Sequence, residues 1–160
     1  MNKAIFLDRD GVINQERDLY TFGIDEFILN DGLIEALKAF IDKGYLLIVI
    51  TNQGGIAKGL YTHQDVETVH NYLMETLAKE GIHITDIYYC PHHPDQGKCL
   101  CRKPGSLMLE KAIARYNIDA GKSYFIGDND RDITAGNAVG VNTILIPPNT
   151  PLTTLIDKVV

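Results

Sequence analysis

Two aspartates, Asp8 and Asp10, close the apolar run Ala4-Ile5-Phe6-Leu7 and are followed at once by Gly11. Side chains two positions apart on extended backbone point the same way, so both carboxylates can face one ligand. Acids this close repel, and a cation or a shared proton must offset them. Asp and Gly are also ordinary turn residues, so the pair alone does not define a site. A second polar group, Thr51-Asn52-Gln53-Gly54-Gly55, ends another apolar run, and Asp128 follows Gly127 at the end of a third. Lys103 stands between them in the chain, within Arg102-Lys103-Pro104. If these groups meet, carboxylates from two strand ends make a hard oxygen site for magnesium, which binds through one or two carboxylates, waters and a substrate phosphate. Lys103 adds a point charge for a phosphate oxygen, and Thr51 with the backbone of Asn52 to Gly55 adds donors. The chemistry these residue types suit is phosphoryl transfer.

A second metal is suggested by Cys90, His92, Cys99 and Cys101, three thiols and an imidazole within twelve residues. Clustering of this kind suits ligation better than a disulfide framework, and Cys₃His is a structural zinc set. A closed four-ligand shell leaves no position for water, so the zinc is expected to be structural. His93 points elsewhere on extended backbone and stays outside the shell. Arg102 and Lys103 follow the last ligand, so a zinc knot over about 90–104 would hold these cations in place.

The elements that must position these groups alternate. Apolar runs at Ala4–Leu7, Tyr45–Ile50, Ile84–Cys90, Ser123–Ile126 and Val141–Ile146 read as strands, because a central parallel strand is covered on both faces and needs no polar alternation. Helices are expected over Asp31–Lys43, ending at Gly44, over Thr62–Glu80, where Thr62 and Asp65 form a capping-box variant, over Ser106–Tyr116 and over Asp130–Ala138. A turn of helix is expected near Leu152–Lys158. This β-α alternation predicts an α/β fold, a Rossmann-like three-layer sandwich whose mainly parallel sheet puts every strand's carboxyl end on one edge. The chain of 160 residues fits a single domain over 1–160. Its net charge of -6 argues against nucleic-acid binding. No apolar stretch reaches the ~20 residues a membrane span needs, and the amino terminus lacks a signal-peptide pattern, so a cytoplasmic monomer without membrane partners is expected.

With these pieces assembled, the chain resembles the haloacid dehalogenase (HAD) superfamily of phosphatases. Asp8-Arg9-Asp10-Gly11, Thr51-Asn52-Gln53, Arg102-Lys103-Pro104 and Gly127-Asp128-Asn129-Asp130-Arg131-Asp132 stand in the family's order, from residue 4 to about 146. The resemblance implies that Asp8 is the nucleophile that forms an aspartyl-phosphate. It implies that Asp10 is the acid that protonates the leaving alcohol and the base that later activates water. Thr51 and Lys103 would hold the transferred group. Magnesium would be bound by Asp8, the Asp10 main-chain carbonyl and Asp128, with Asp132 as an outer support. An acid in a helix's first turn, such as Asp132, is favoured by the dipole without any such role. On this reading Asp10 holds a proton while the metal keeps Asp8 ionised.

Within the superfamily, the zinc loop and Arg102-Lys103-Pro104 resemble two groups without a large cap, the D,D-heptose 1,7-bisphosphate phosphatases and the histidinol-phosphate phosphatases. A cap would have no room in 160 residues. The segments Thr51–Gly59 and Tyr88–Pro94 are similar to the heptose group, whereas the six residues between His92 and Cys99 are closer to the histidinol-phosphate group. A sugar bisphosphate would use further cations, Lys58 and Arg102, for its second phosphate. Histidinol phosphate carries an amine and would use Glu16 or Asp18. The heptose resemblance implies removal of the 7-phosphate of D-glycero-D-manno-heptose 1,7-bisphosphate, on the route to ADP-heptose and the lipopolysaccharide core. A non-catalytic sugar-phosphate binder on the same fold would not need the Asp8 and Asp10 pair.

Overall fold

The computed structural model describes residues 1–160. Five strands, β1 (Lys3–Leu7), β2 (Tyr45–Asn52), β3 (Asp86–Cys90), β4 (Tyr124–Gly127) and β5 (Asn142–Leu145), form one parallel sheet in the order β3-β2-β1-β4-β5. Four α-helices connect them: α1 (Leu33–Asp42), α2 (His63–Ala78), α3 (Leu107–Arg115) and α4 (Asp130–Val139).

Strand alternation divides the core into two layers. Ile5 and Leu7 of β1 and Leu47 and Val49 of β2 face one side, where Leu33, Leu37 and Phe40 of α1 and Val69, Leu73 and Leu77 of α2 cover them. Ala4 and Phe6 with Ile48 and Ile50 face the other, under Met108, Leu109 and Ala112 of α3 and Ala135 of α4. Both faces of β1 and β2 are therefore buried, which is why these strands read as unbroken apolar runs; each such Leu, Ile or Phe contributes roughly 1.5–3 kcal/mol by leaving water. No helix is long and apolar enough to cross a membrane.

Element ends follow local chemistry. Helix α2 starts at a reciprocal capping box: Thr62 Oγ1 accepts from the Asp65 amide at 3.1 Å and Asp65 Oδ2 accepts from the Thr62 amide at 2.9 Å. Helix α1 begins two residues later than the sequence pattern places it, because Gly32 takes a left-handed φ of +73° beside Thr153. Strand β3 begins at Asp86 rather than Ile84, whose side chain is buried in the core ahead of the ladder.

The strand order places the reversal of winding between β1 and β4. Chains run from β1 outward to β2 and β3, then cross to β4 and β5, so the carboxyl ends of β1 and β4 open a crevice between their loops, where α/β sheets of this kind bind ligands. Asp8 follows β1 and Asp128 follows β4, one on each side of that crevice.

Candidate active site

The crevice is a cleft of about 690 Å³ lined mostly by polar residues, among them Asp8, Asp10, Asn52, Gln53, Arg102, Lys103 and Asp128. At its floor the carboxylates of Asp8, Asp128 and Asp132 bring oxygen atoms within 4.8 Å of one another. Lys103, 2% exposed, sits among them with its ammonium 3.0 Å from Asp8 Oδ1 and 2.6 Å from Asp132 Oδ1. It also donates to the Ile50 carbonyl at 2.9 Å.

Lys103 is fixed at both ends. Its backbone is bracketed by Asn52, whose Oδ1 accepts from the Lys103 amide at 3.0 Å and whose Nδ2 donates to the Lys103 carbonyl at 3.2 Å. Asp132 has two functions at once. Its Oδ2 accepts from the Asn129 amide at 3.2 Å, completing a capping box at the start of α4, while Oδ1 meets only the ammonium, off the ideal donor direction. The first-turn acid and the support for the site are the same carboxylate.

Asp128 is pressed against the turn after β1. A Cβ on Gly11 would lie 2.0 Å from Asp128 Oδ2, and Gly11 holds φ at +87°, so glycine is required there twice over. The Asp10 carbonyl oxygen accepts no hydrogen bond from the chain. Three carboxylates against one ammonium leave the pocket negative, and with the unpaired carbonyl they make a donor set of hard oxygens of the kind magnesium takes. These residues fit a divalent cation.

The electrostatic surroundings of Asp8 and Asp10 differ, as the sequence leads one to expect. Burial pushes Asp8 up to about 8 against the pull of Lys103, and the neighbouring carboxylates Asp132, Asp128 and Asp10 push the same way. Asp10 is held below its ordinary value, its own burial being outweighed by the Arg9 guanidinium and by hydrogen bonds from Asn14 and Gln53. Arg9 is 1% exposed and donates to Asp10 Oδ1 from Nη2 at 2.9 Å, with Asn14 Nδ2 at 2.9 Å on the same oxygen. The two environments thus push the two carboxyls in opposite directions.

The remaining sequence candidates divide. Gln53 lines the cleft and is pinned by Tyr61, whose hydroxyl donates to Oε1 at 2.8 Å, while Nε2 donates to Asp10 Oδ2 at 3.2 Å and Thr51 Oγ1 at 3.0 Å. Thr51, 1% exposed, lies below the cleft lining and receives Gln53. Lys58 is outside the lining too, its ammonium 5.7 Å from the ring centre of Tyr20, which does line it. Arg102 faces the cleft with Nη1 donating to the His92 carbonyl at 3.0 Å. Glu16 and Asp18 line the cleft with Arg131, Asn129 and His93. Sequence reasoning assigned no role to Arg9 or Arg131; Arg9 stood in plain view inside Asp8-Arg9-Asp10, but nothing in a sequence marks an arginine as buried.

Beside the cleft, Cys90 Sγ, His92 Nδ1, Cys99 Sγ and Cys101 Sγ converge. Cys90 and Cys99 sulfurs are 3.8 Å apart, and His92 Nδ1 is 3.4 Å from Cys90 Sγ and 3.2 Å from Cys101 Sγ. Zinc–sulfur bonds of about 2.3 Å at tetrahedral angles put thiolates about 3.8 Å apart, so three of the gaps suit the ion, and the 2.8 Å between Cys90 and Cys101 would widen around it. The cysteines form no disulfide. The knot is tied to the site: the Gln53 amide donates to the Cys90 carbonyl at 2.7 Å and the Ala57 amide to the Pro91 carbonyl at 3.2 Å.

Comparison with known proteins places this geometry. Residues 100–150 match the HAD-hydrolase-like family model. The D-glycero-beta-D-manno-heptose-1,7-bisphosphate 7-phosphatase of Haemophilus ducreyi is 42% identical over 147 residues, 88% of this chain and 80% of that protein. The corresponding alpha-anomer phosphatase of Campylobacter jejuni is 42% identical over 144 residues, 90% of this chain and 81% of that protein. In structure, the D,D-heptose 1,7-bisphosphate phosphatase of B. bronchiseptica complexed with magnesium and phosphate superposes with a TM-score of 0.86 at 34% identity, covering 97% of this chain and 86% of that one.

Proposed function

The chain belongs to the HAD-like hydrolases, in the branch of the heptose-1,7-bisphosphate 7-phosphatases, and from that premise we propose that it is a magnesium-dependent phosphatase that removes the 7-phosphate of D-glycero-D-manno-heptose 1,7-bisphosphate. The observation that carries this reading is the gathering of Asp8, Asp128, Asp132 and Lys103 at the floor of one polar cleft, with Asp10 on its wall. Magnesium held by Asp8, the Asp10 carbonyl and Asp128 would supply the positive charge that keeps Asp8 ionised and offsets the phosphate dianion. Asp8 then attacks phosphorus, the bond from phosphorus to the C7 oxygen breaks, and Asp10 gives its proton to the departing alkoxide. Asp10 next takes a proton from water as that water attacks phosphorus, and the Asp8 carboxylate is released. Approach of an anionic phosphate raises the pKa of Asp10 and so favours the protonated form that the first step needs.

Lys103, Thr51 and the polar groups around Asn52 hold the phosphoryl oxygens, and Thr51 Oγ1 also receives Gln53. Arg102 and Arg131, both facing the cleft, suit the second phosphate that a bisphosphate keeps away from the chemistry. Zinc in the Cys90, His92, Cys99 and Cys101 knot would be structural, holding Arg102 and Lys103 at the rim. The protein acts as one cytoplasmic, monomeric unit on a small phosphorylated sugar. Steady-state phosphate release with magnesium, compared between heptose 1,7-bisphosphate and histidinol phosphate, tests the assignment. Faster turnover of histidinol phosphate would overturn the substrate, and undiminished release by Asp8→Asn would overturn the nucleophile.

A further inference from the structure

Behind the site lies a buried contact that the proposed chemistry does not use. His70, on α2 and 6% exposed, stands with Nε2 3.3 Å from Arg9 Nη1. The other donors of Arg9 are committed: Nε and Nη2 reach Asp10 Oδ1 at 3.3 and 2.9 Å, and Nη2 also donates to the Thr21 carbonyl at 2.7 Å. Its guanidinium carbon lies 5.5 Å from the centre of the Phe27 ring. Nη1 has His70 as its one hydrogen-bond partner, so the imidazole braces the end of the guanidinium that Asp10 and Thr21 leave free. A guanidinium only donates, so Nε2 must accept and the ring must be neutral with its proton on Nδ1. Burial and the neighbouring Arg9 lower the His70 pKa to about 3, which agrees. The ring is wedged edge-on against Tyr89 of β3, whose hydroxyl lies 2.9 Å from His63 Nδ1.

We propose that His70 is a positioning residue for the reaction: by accepting from Arg9 Nη1 it fixes the guanidinium that carries Asp10, and so fixes the point from which Asp10 passes its proton. This rests on the reading of Asp10 as the acid and base. His70 does not itself line the cleft, so its effect falls on turnover and not on substrate binding.

The test compares His70→Leu, which removes the acceptor, with His70→Gln, whose amide oxygen can replace Nε2. His70→Leu should lower kcat about ten- to hundredfold, the scale of a misplaced catalytic group, with KM within about twofold. His70→Gln should recover most of the lost turnover. Equal losses in the two variants, or wild-type kcat in His70→Leu, overturn the proposal. Should the leucine variant not fold, nitrogen-15 NMR of the wild-type imidazole still decides: the proton must be on Nδ1, and a protonated Nε2 overturns the contact outright. Asp10→Asn, assayed alongside, separates the two claims. If it is inactive while His70→Leu is unimpaired, His70 alone is misassigned; if it is fully active, the acid and base reading itself falls.

Discussion

Withholding magnesium should make this protein lose stability as the pH rises, the reverse of ordinary carboxylate behaviour. Asp8 titrates at about 8 in the folded, metal-free chain against 3.8 for an unperturbed aspartate, so folding takes up a proton and that advantage fades as pH climbs toward 8. For one group with those two values, the cost of keeping Asp8 folded grows by roughly 1–2 kcal/mol between pH 6.5 and 8.0. His70 acts in the opposite sense, but only as its unfolded form ionises near 6.5, and it returns well under about 1 kcal/mol over the same interval. The net fall of roughly 1 kcal/mol or more corresponds to a drop of about 0.5 M or more in the urea midpoint, given a slope of about 2 kcal/mol per molar. The assay is urea unfolding followed by circular dichroism at pH 6.5 and 8.0, with zinc retained and magnesium withheld, then repeated at saturating magnesium and with Asp8→Asn. The midpoint should fall with pH only in the metal-free wild type. A midpoint that stands still or rises there would refute the reasoning about the buried carboxylates.

Three further outcomes follow from the geometry. Gly11→Ala should raise the magnesium concentration needed for half-maximal phosphate release and lower stability by about 1–3 kcal/mol, because its methyl group collides with Asp128 at a left-handed backbone position; a magnesium titration and a thermal melt measure both. Stripping zinc should cost most of the fold's margin, since zinc binds small modules with ~10–16 kcal/mol and a whole domain is stable by only about 5–15 kcal/mol. Elemental analysis should find about one zinc per chain, and calorimetry a large fall in Tm on its removal. Acid should also destabilise the protein through His70: its folded value of about 3 lies below the unfolded 6.5, so roughly 2 kcal/mol is lost between pH 7.5 and 5, and His70→Gln should abolish that loss in melts.

Much of the scaffold could be read from the chain because its signals are local. The apolar runs of β1 and β2 and the capping pairs Thr62 with Asp65 and Asn129 with Asp132 each record a preference of a few neighbouring residues. The topology then carries Asp8, Asn52, Lys103 and Asp128 to one edge without further information. What stayed hidden is set by packing between distant segments. Lys58 belongs to the suggestive run Thr51–Gly59, and only the fold shows its ammonium beside the ring of Tyr20, a residue of the cleft wall. The opposite shifts of Asp8 and Asp10 depend on the burial of Asp8 with three carboxylates around it and on a buried Arg9 beside Asp10, none of which has a sequence signature. His70 gives no sign of its contact, because α2 and the turn after β1 meet only in three dimensions.

The ammonium of Lys103 reaches a loop beyond β1, the main chain of β2 and the first turn of α4 at the same moment. Such a rivet prevents the two wings of the sheet from swinging apart along the seam between β1 and β4. The floor of the cleft is thereby tied at one point to three separate segments of the chain, while residues such as Glu16, Asp18 and Tyr20 contribute only to its walls.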